Sequence, residues 1–275
     1  MGSNPTPGTS VRRWRDTANV RSIEQVRQVG ALVAAGMNDC AIARELGIPR
    51  ATVKDWRHAR RWEQWPYNTY TGSCVRCGSP RHEFEMLPDA YVYLLGMYLG
   101  DGHIVACPKR VYRLTVAMDA AYPGVIRECS RAIATIVPGA GPRIQPLKGS
   151  RCVWLVKYSK RWACLFPQHG PGPKHERRID LTPWQRTLVE RHPESFVRGL
   201  IHSDGCRFVN PVWHGDKLYT YPRYNFSNTS ADIRRLFCGA CDLLGVEWRV
   251  MNARNISIAR QASVARLDEF VGAKR

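Results

Sequence analysis

The sequence is short of acidic residues. It has 23 Asp and Glu against 41 Lys and Arg, which gives a formal net charge of +18 at pH 7. A surplus of this size indicates a polyanionic partner, either a nucleic acid or an anionic membrane surface. The same shortage of carboxylates draws attention to the few that stand at special positions in the chain.

Long hydrophobic runs are also lacking. The longest, Ala90–Gly100, is too short to span a bilayer. The first ten residues are rich in Pro, Gly and Ser and contain no hydrophobic signal region. We therefore expect a cytoplasmic protein, whose ten cysteines are thiols rather than disulfides.

One motif, Gly-x4-Asp-Gly, occurs twice after apolar stretches, at 96–102 and again at 199–205. Each copy predicts a helix with two small residues one turn apart on one face. Small residues at that spacing let two helix backbones approach closely. The residues predicted to form such a helix interface are Gly96, Gly100, Gly199 and Ser203.

The two motif aspartates, Asp101 and Asp204, fall at the C-terminal ends of these helices. A carboxylate is unfavourable there because the helix dipole is negative at that end. If the helices pack side by side, the two carboxylates come together, and a divalent cation such as Mg²⁺ would relieve their repulsion. Gly102 and Gly205 follow them and are predicted to take the left-handed C′ conformation.

Residues 39–56 have the pattern of a helix-turn-helix, with Gly47 at the turn and an apolar core around Ile42 and Val53. A preceding helix is predicted over 22–35 and a recognition helix over about 49–61. The polar residues that this helix would present to a DNA major groove are Arg50, Thr52, Lys54, Arg57 and Arg60.

After each Asp-Gly the pattern changes to two strands, a helix, two strands and a helix. The distance from Asp101 to Lys160 nearly equals that from Asp204 to Arg260, which indicates an internal repeat. The strands and turns carry basic residues suited to phosphate and base contacts: Lys109, Arg110, Arg113, Arg143, Lys148, Arg151, Lys217, Arg223, Arg249 and Arg254.

The fold class predicted is α+β. Two pseudo-symmetric αββαββα repeats would form a saddle of two antiparallel sheets, preceded by a small all-α helix-turn-helix domain. The predicted divisions are a disordered basic segment (1–20), the helix-turn-helix domain (21–66), a linker (67–87), the first repeat (88–167), a second linker (168–182) and the second repeat (183–275).

The paired motifs resemble the LAGLIDADG homing endonuclease family, in its single-chain, two-motif form. The resemblance implies a monomeric, Mg²⁺-dependent endonuclease that cuts both strands of a long duplex. It also implies that Asp101 and Asp204, with Gly102 and Gly205, bind the metal. Family members place a basic residue near each site, and the candidates by repeat position are Lys157, Lys160 and Arg260.

Two other functions fit the same fold. A bacterial sporulation-regulator family pairs it with a helix-turn-helix, so the chain could be a DNA-binding transcriptional regulator that has lost cleavage. An RNA-splicing helper is a third possibility, which a preference for folded RNA would mark. Both aspartates are kept here, which favours the nuclease over a pure reader.

A second metal site is suggested by Cys74, Cys77 and His82. Cys-x2-Cys-Gly is the turn of a zinc knuckle, and the spacing to the histidine suits a third ligand. The expected fourth position, Leu87, is not a ligand. The spacing therefore leaves open a structural Zn²⁺ site and favours a partly lost knuckle with thiols.

Overall fold

The computed structural model describes residues 23–58, 60, 62, 74–79, 82–272 and 274. The predicted disordered segment 1–20, the start of the first helix at residue 22 and most of the first linker lie outside the described residues. Contacts within the chain divide it into two compact units, Met1–Val75 and Arg76–Arg275. The finer predicted boundaries stay predictions.

The first unit contains a helix-turn-helix. Its helices are α1 (Ile23–Ala34), α2 (Asp39–Leu46) and α3 (Arg50–His58). The side chain of Asn38 caps α2 by accepting a hydrogen bond from the amide of Ala41 at 2.9 Å. Gly47 ends α2 with φ at +60°, a left-handed conformation that glycine adopts without strain.

Apolar side chains from all three helices form the core of this unit. The buried members are Val26, Val29, Ile42, Ile48, Val53 and Trp56, and Leu46 packs at their edge. Because these positions recur at helical spacing, the sequence pattern alone specified the core.

The second unit holds two repeats of similar element order. The first repeat comprises α4 (Asp89–Asp101), β1 (Gly102–Cys107), β2 (Val111–Asp119), α5 (Pro123–Ile136), β3 (Arg143–Pro146), β4 (Cys152–Ser159) and α6 (Trp162–Leu165). The second comprises α7 (Pro183–Arg191), α8 (Pro193–Asp204), β5 (Gly205–His214), β6 (Lys217–Ser227), α9 (Ala231–Leu243), β7 (Arg249–Val250), β8 (Asn255–Ile258) and α10 (Gln261–Phe270).

Each repeat builds one four-stranded antiparallel sheet, in the order β1-β2-β4-β3 or β5-β6-β8-β7. The registers match: in the first sheet Val156 lies opposite both Thr115 and Arg143. In the second, Ser257 lies opposite both Asn225 and Arg249. The predicted pseudo-symmetric α+β fold is confirmed.

The central helices α4 and α8 pack backbone against backbone. A Cβ atom added to Gly96 would lie 2.6 Å from the carbonyl oxygen of Phe196. One added to Gly199 would lie 2.2 Å from the carbonyl oxygen of Tyr93. Real Cβ atoms do not come that close, so this contact requires glycine on both helices, as the motif spacing predicts.

The conformation predicted for Gly102 and Gly205 is wrong. Their φ angles are −84° and −110°, in the extended region, because each helix runs directly into a strand. Glycine is needed for space instead. A Cβ at Gly102 would lie 2.5 Å from the Cα of Tyr98, and one at Gly205 would lie 2.8 Å from the Cα of Ile201.

The first hairpin of the second repeat is longer than predicted. The sequence suggests strands at 206–209 and 218–227 joined by a long loop, but β5 continues to His214 and a two-residue turn leads into β6. Pro211 lies within β5, which is an edge strand of its sheet, and edge strands tolerate proline.

Several helices start elsewhere than the sequence suggests. The helix predicted from residue 119 begins at Pro123, after Asp119 has closed β2, and the last helix begins at Gln261 rather than 264. Within the described part of the chain, no helix has the length and apolar character needed to cross a bilayer.

Candidate active site and nucleic-acid interface

The two motif carboxylates converge where α4 and α8 end. A Cβ placed on Gly100 would lie 3.0 Å from Oδ2 of Asp204, so this carboxylate leans over the end of the neighbouring helix. Burial, with the negative charge of Asp204, raises the pKa of Asp101 to about 6. The helix pair thus brings together two carboxylates, each at the unfavourable end of its own helix, whose negative charges repel one another.

The two carboxylates have different surroundings. Asp204 accepts a hydrogen bond from Nδ2 of Asn228 at 2.5 Å, which opposes the rise in its pKa caused by burial. By sheet register, the first-repeat counterpart of Asn228 is Met118, which has no donor. Asp101 accepts no hydrogen bond from any residue that the structure describes.

A lysine from the connector between the repeats reaches the C-terminal end of α4. Nζ of Lys174 donates to the carbonyl oxygens of Tyr98 and Gly100 at 2.6 Å and of Gly102 at 2.9 Å. Burial lowers the pKa of Lys174 to about 8, while the charges of Asp204 and Asp101 oppose that shift. The ammonium therefore compensates the negative end of α4.

Lys274 takes a comparable place at the end of α8. Its Nζ donates to the carbonyl oxygen of Ser203 at 3.3 Å. Burial lowers the pKa of Lys274, and the negative charge of Asp101 is the largest effect that opposes this shift. Asp101, Ser203 and Lys274 line one cavity of about 440 Å³. The C-terminal end of each central helix thus carries a motif carboxylate, and a lysine from another segment binds carbonyl oxygens there.

The basic residues expected near the carboxylates are engaged elsewhere. Lys157 donates to the carbonyl oxygen of Ala140. Arg260 forms an ion pair with Glu247 at 2.9 Å. Lys160 is exposed. The structure brings Lys174 and Lys274 to the pair instead of these three.

Sequence reasoning missed both lysines because Lys174 lies in the linker between the repeats and Lys274 follows the last helix of the second repeat. Lys174 lies in the Gly- and Pro-rich crossing, which resembles a solvated connector. One signal in the sequence was available, since the spacing from motif aspartate to lysine is similar in the two halves. Lys174 follows Asp101 by 73 residues, and Lys274 follows Asp204 by 70. His202, within the second motif, is buried against Tyr93 and Val271 and is interface packing.

The outer faces of the sheets carry a matched set of cations. Arg113 and Arg143 on the first sheet occupy the register positions of Arg223 and Arg249 on the second. Large aromatic side chains are exposed on the same faces, including Trp154, Tyr158, Phe208 and Tyr221. Basic and aromatic groups on one strand surface can bind phosphate and stack on bases.

The other predicted contacts divide into two groups. Exposed cations at turns and strand ends are Lys109, Arg110, Lys148, Lys217 and Arg254. Arg151 is exposed but forms an ion pair with Asp119 at 2.9 Å, which holds β2 against the turn before β4.

On the helix-turn-helix, Arg50, Lys54 and Arg60 are exposed and Thr52 is half-buried. Arg57 has partners within the fold. Its Nε lies 2.7 Å from a carboxylate oxygen of Asp39, and it also donates to the carbonyl oxygen of Met37. It therefore ties α3 to the start of α2, and its contact with DNA stays a prediction.

A family model described as a homeodomain-like domain matches residues 20–63. The first unit carries a homeodomain-like helix-turn-helix. A search of curated protein sequences finds no match.

The chain is also similar, at low sequence identity, to several solved structures. One is the meganuclease I-AabMI bound to uncleaved DNA, at 10% identity and TM-score 0.43, covering 66% of this chain and 82% of that one. Another is the homing endonuclease I-WcaI bound to its DNA recognition sequence, at 12% and 0.43, covering 67% and 81%. A third is full-length DUF199/WhiA from Thermatoga maritima, at 16% and 0.41, covering 70% and 60%.

The second unit is built from two repeats with matching strand orders and registers around a glycine-lined helix pair. The resemblance of its two motifs to the LAGLIDADG family stays a prediction.

Proposed function

We propose that the protein is a site-specific DNA endonuclease that hydrolyses both strands of a long duplex with the help of Mg²⁺. The observation that carries the proposal is the pair of half-buried carboxylates at the ends of α4 and α8, where a half-buried lysine also binds the last carbonyl oxygens of each helix. A pure DNA-binding surface requires no such half-buried, mutually repelling pair.

The donor set fits a divalent cation. Asp101 and Asp204 are mostly buried carboxylates with raised pKa values, and a cation between them would offset both burial and repulsion. Such an ion would act as a Lewis acid on a phosphate oxygen and lower the pKa of a bound water. We include Gly102 and Gly205 as backbone ligands in the proposal; the carbonyl of Gly102 already accepts from Lys174.

The lysines have roles of their own. Their positive charges lower the pKa values of Asp101 and Asp204, so they favour the ionised carboxylates that metal binding needs. A lysine whose own pKa is about 8, as at Lys174, can also exchange a proton near neutral pH.

The DNA would lie along the outer faces of the two sheets. Arg113 and Arg143 on one sheet and Arg223 and Arg249 on the other would contact two pseudo-symmetric half-sites. The helix-turn-helix would add a second contact and raise the effective affinity. We further propose that the protein acts as a monomer, in the cytoplasm, on the nucleoid.

One observation favours the alternative, a transcriptional regulator with an inactive LAGLIDADG fold. The ammonium of Lys174 occupies the carbonyl oxygens at the end of α4, including that of Gly102, which the nuclease proposal assigns to the metal. A helix-turn-helix is also more than a nuclease requires.

Selection of bound sequences from random duplexes, followed by incubation of the selected duplex with and without Mg²⁺, separates the two functions. The nuclease proposal predicts cuts in both strands on a denaturing gel only with Mg²⁺. Tight binding with intact strands in both conditions would support the regulator. Preferential binding of folded RNA over duplex would contradict both.

A further inference from the structure

A cluster of three cysteines and one histidine lies away from the carboxylate pair. Its members are Cys74, Cys77, His82 and Cys164, and their ligand atoms all lie within 4.8 Å of one another. The three cysteines are buried.

The sequence supplies two sides of the cluster locally. Gly78 follows Cys77 with φ at +71°, so the chain turns as a Cys-x2-Cys-Gly knuckle does. Five residues beyond Cys77, Nε2 of His82 lies 3.4 Å from its sulfur. The ring of His82 stacks on Phe84 with centroids 4.7 Å apart, which fixes the orientation of the imidazole.

The fourth member comes from a distant part of the chain. Cys164 lies on α6, the short helix that follows β4 in the first repeat. That helix is anchored by the carbonyl of Leu165, which accepts a hydrogen bond from the buried hydroxyl of Tyr91 at 2.6 Å. No local spacing predicts Cys164 as a ligand, because 82 residues separate it from His82.

We propose that Cys74, Cys77, His82 and Cys164 bind one structural Zn²⁺. Sulfur and nitrogen atoms around a tetrahedral ion with bonds of about 2.0–2.3 Å lie roughly 3.5–4 Å apart, so a small contraction of the observed cluster completes the site. Three thiolates and one neutral imidazole are a set that zinc accepts in closed structural sites. All four positions are taken by protein, so this ion has no open position for catalysis.

The ion would hold the segment before the first central helix onto the first repeat. His82 stacks on Phe84, and Phe84 stacks on Trp184 of α7 with centroids 4.3 Å apart. Zinc binding would therefore hold the His82–Phe84–Trp184 stack in place and order the segment that precedes α4. Because binding free energy at such a site is also folding free energy, chelation should destabilise this region.

The test uses the full chain purified under reducing conditions without a metal-binding tag. We expect one equivalent of zinc per chain by elemental analysis. After replacement by Co²⁺, we expect the visible bands of tetrahedral cobalt, with a thiolate charge-transfer band of the strength expected for three thiolates. Absence of zinc uptake, or a cobalt spectrum of an octahedral ion, would overturn the proposal.

Variants identify the fourth ligand. Cys164→Ser should weaken zinc binding by at least about tenfold. Cys164→His should keep the tetrahedral cobalt spectrum but lower the charge-transfer band by one third. The matched control is Cys107→Ser, a half-buried cysteine on β1 outside the cluster, which should change neither property.

An unchanged cobalt spectrum in Cys164→His would remove Cys164 from the site and overturn the proposal. None of these readouts depends on DNA or on Mg²⁺. Failure of the zinc proposal would therefore leave the proposed nuclease function untouched, and the reverse also holds.

Discussion

At the scale of single residues, the separation of the two central helices depends on glycines that cannot carry a side chain. At Gly199 the obstacle is backbone: an added Cβ would lie 2.2 Å from the carbonyl oxygen of Tyr93 and 3.1 Å from the Cα of Gly96. Both are backbone atoms, which cannot rotate away as a flexible side chain can. A methyl group added at Gly199 must therefore move one helix, and with it the carboxylate of Asp101 or Asp204 at the end of that helix.

We predict that Gly199→Ala lowers the free energy of unfolding by roughly 1–3 kcal/mol, because the new methyl group overpacks the helix pair. Gly239→Ala is the matched control. Gly239 lies on the exposed face of α9, where an added Cβ meets nothing within 4 Å. That change should stabilise the protein by about 0.5–1 kcal/mol. Urea unfolding measures both, and equal effects would contradict the close backbone contact.

The raised pKa of Asp101 makes stability depend on pH. Its pKa rises from an ordinary 3.8 to about 6, so the folded protein holds this proton more tightly than the unfolded chain does. The resulting contribution to stability is complete below 3.8 and is lost as the pH rises through about 6.

Asp101→Asn should therefore raise the free energy of unfolding above about pH 7, by on the order of 1–3 kcal/mol, and change it little near pH 4. Urea unfolding of the variant and the natural chain at the two pH values tests this. An equal change at both would show that the carboxyl of Asp101 is not held in its neutral form by burial.

Lys174 lowers the pKa of both carboxylates. Lys174→Met should shift the pH dependence of Mg²⁺-dependent cleavage to higher pH, because Asp101 and Asp204 would then ionise later. Lys157→Met is the control, since the ammonium of Lys157 bonds the carbonyl of Ala140 instead. Single-turnover cleavage rates across pH measure the shift, and identical profiles for the two variants would refute the role given to Lys174.

At the scale of elements, the helix-turn-helix has one cation that is paired within the fold and another that is exposed. Arg57 lies on α3 but pairs with Asp39 at the start of α2. Lys54, one turn earlier, is exposed. The two are alike in sequence terms, being basic residues on one short helix, and only the folded structure assigns them different roles.

Arg57→Ala should expose the amides of α2 and α3 to faster hydrogen exchange, equivalent to roughly 1–3 kcal/mol, because the ion pair with Asp39 and the hydrogen bond to the carbonyl of Met37 are lost. Lys54→Ala should leave exchange unchanged and weaken DNA binding with a smaller salt dependence. Should Arg57→Ala behave as Lys54→Ala does, the structural role of Arg57 would be wrong.

Most elements could be predicted because their signals are local. The apolar period of α1 to α3, the Gly-x4-Asp-Gly pairs and the alternation of strands and turns each lie within a short window of sequence. The hairpin of β5 and β6 is longer than predicted. Its first strand contains Pro211, which an edge strand tolerates, and only the tertiary order of the strands shows that β5 lies at an edge.

The parts of the sites that sequence missed are contacts between distant segments. Lys174 meets the end of α4 from the connector, and Cys164 meets His82 from the far end of the first repeat. Neither residue lies at a spacing that any secondary structure imposes. Their roles follow from how the repeats fold back on themselves, which composition and periodicity do not specify.

At the scale of the whole molecule, two similar repeats build two dissimilar halves of one site. The registers of the sheets match at Arg143 and Arg249, yet Asp204 has Asn228 as a donor where Asp101 has Met118. The half with the donor favours an ionised carboxylate. Under the proposed function, the two strands of the target would then be cut at different rates.

The central claim is that Asp101 and Asp204 act together at the junction of the helix pair. Its most direct test is cleavage of the selected duplex, with each strand labelled separately, by the natural chain, Asp101→Asn and Asp204→Asn, with binding measured in parallel. We predict that both variants bind the duplex as the natural chain does and no longer cut both strands with Mg²⁺. Double-strand cutting by either variant at the natural rate would contradict the account.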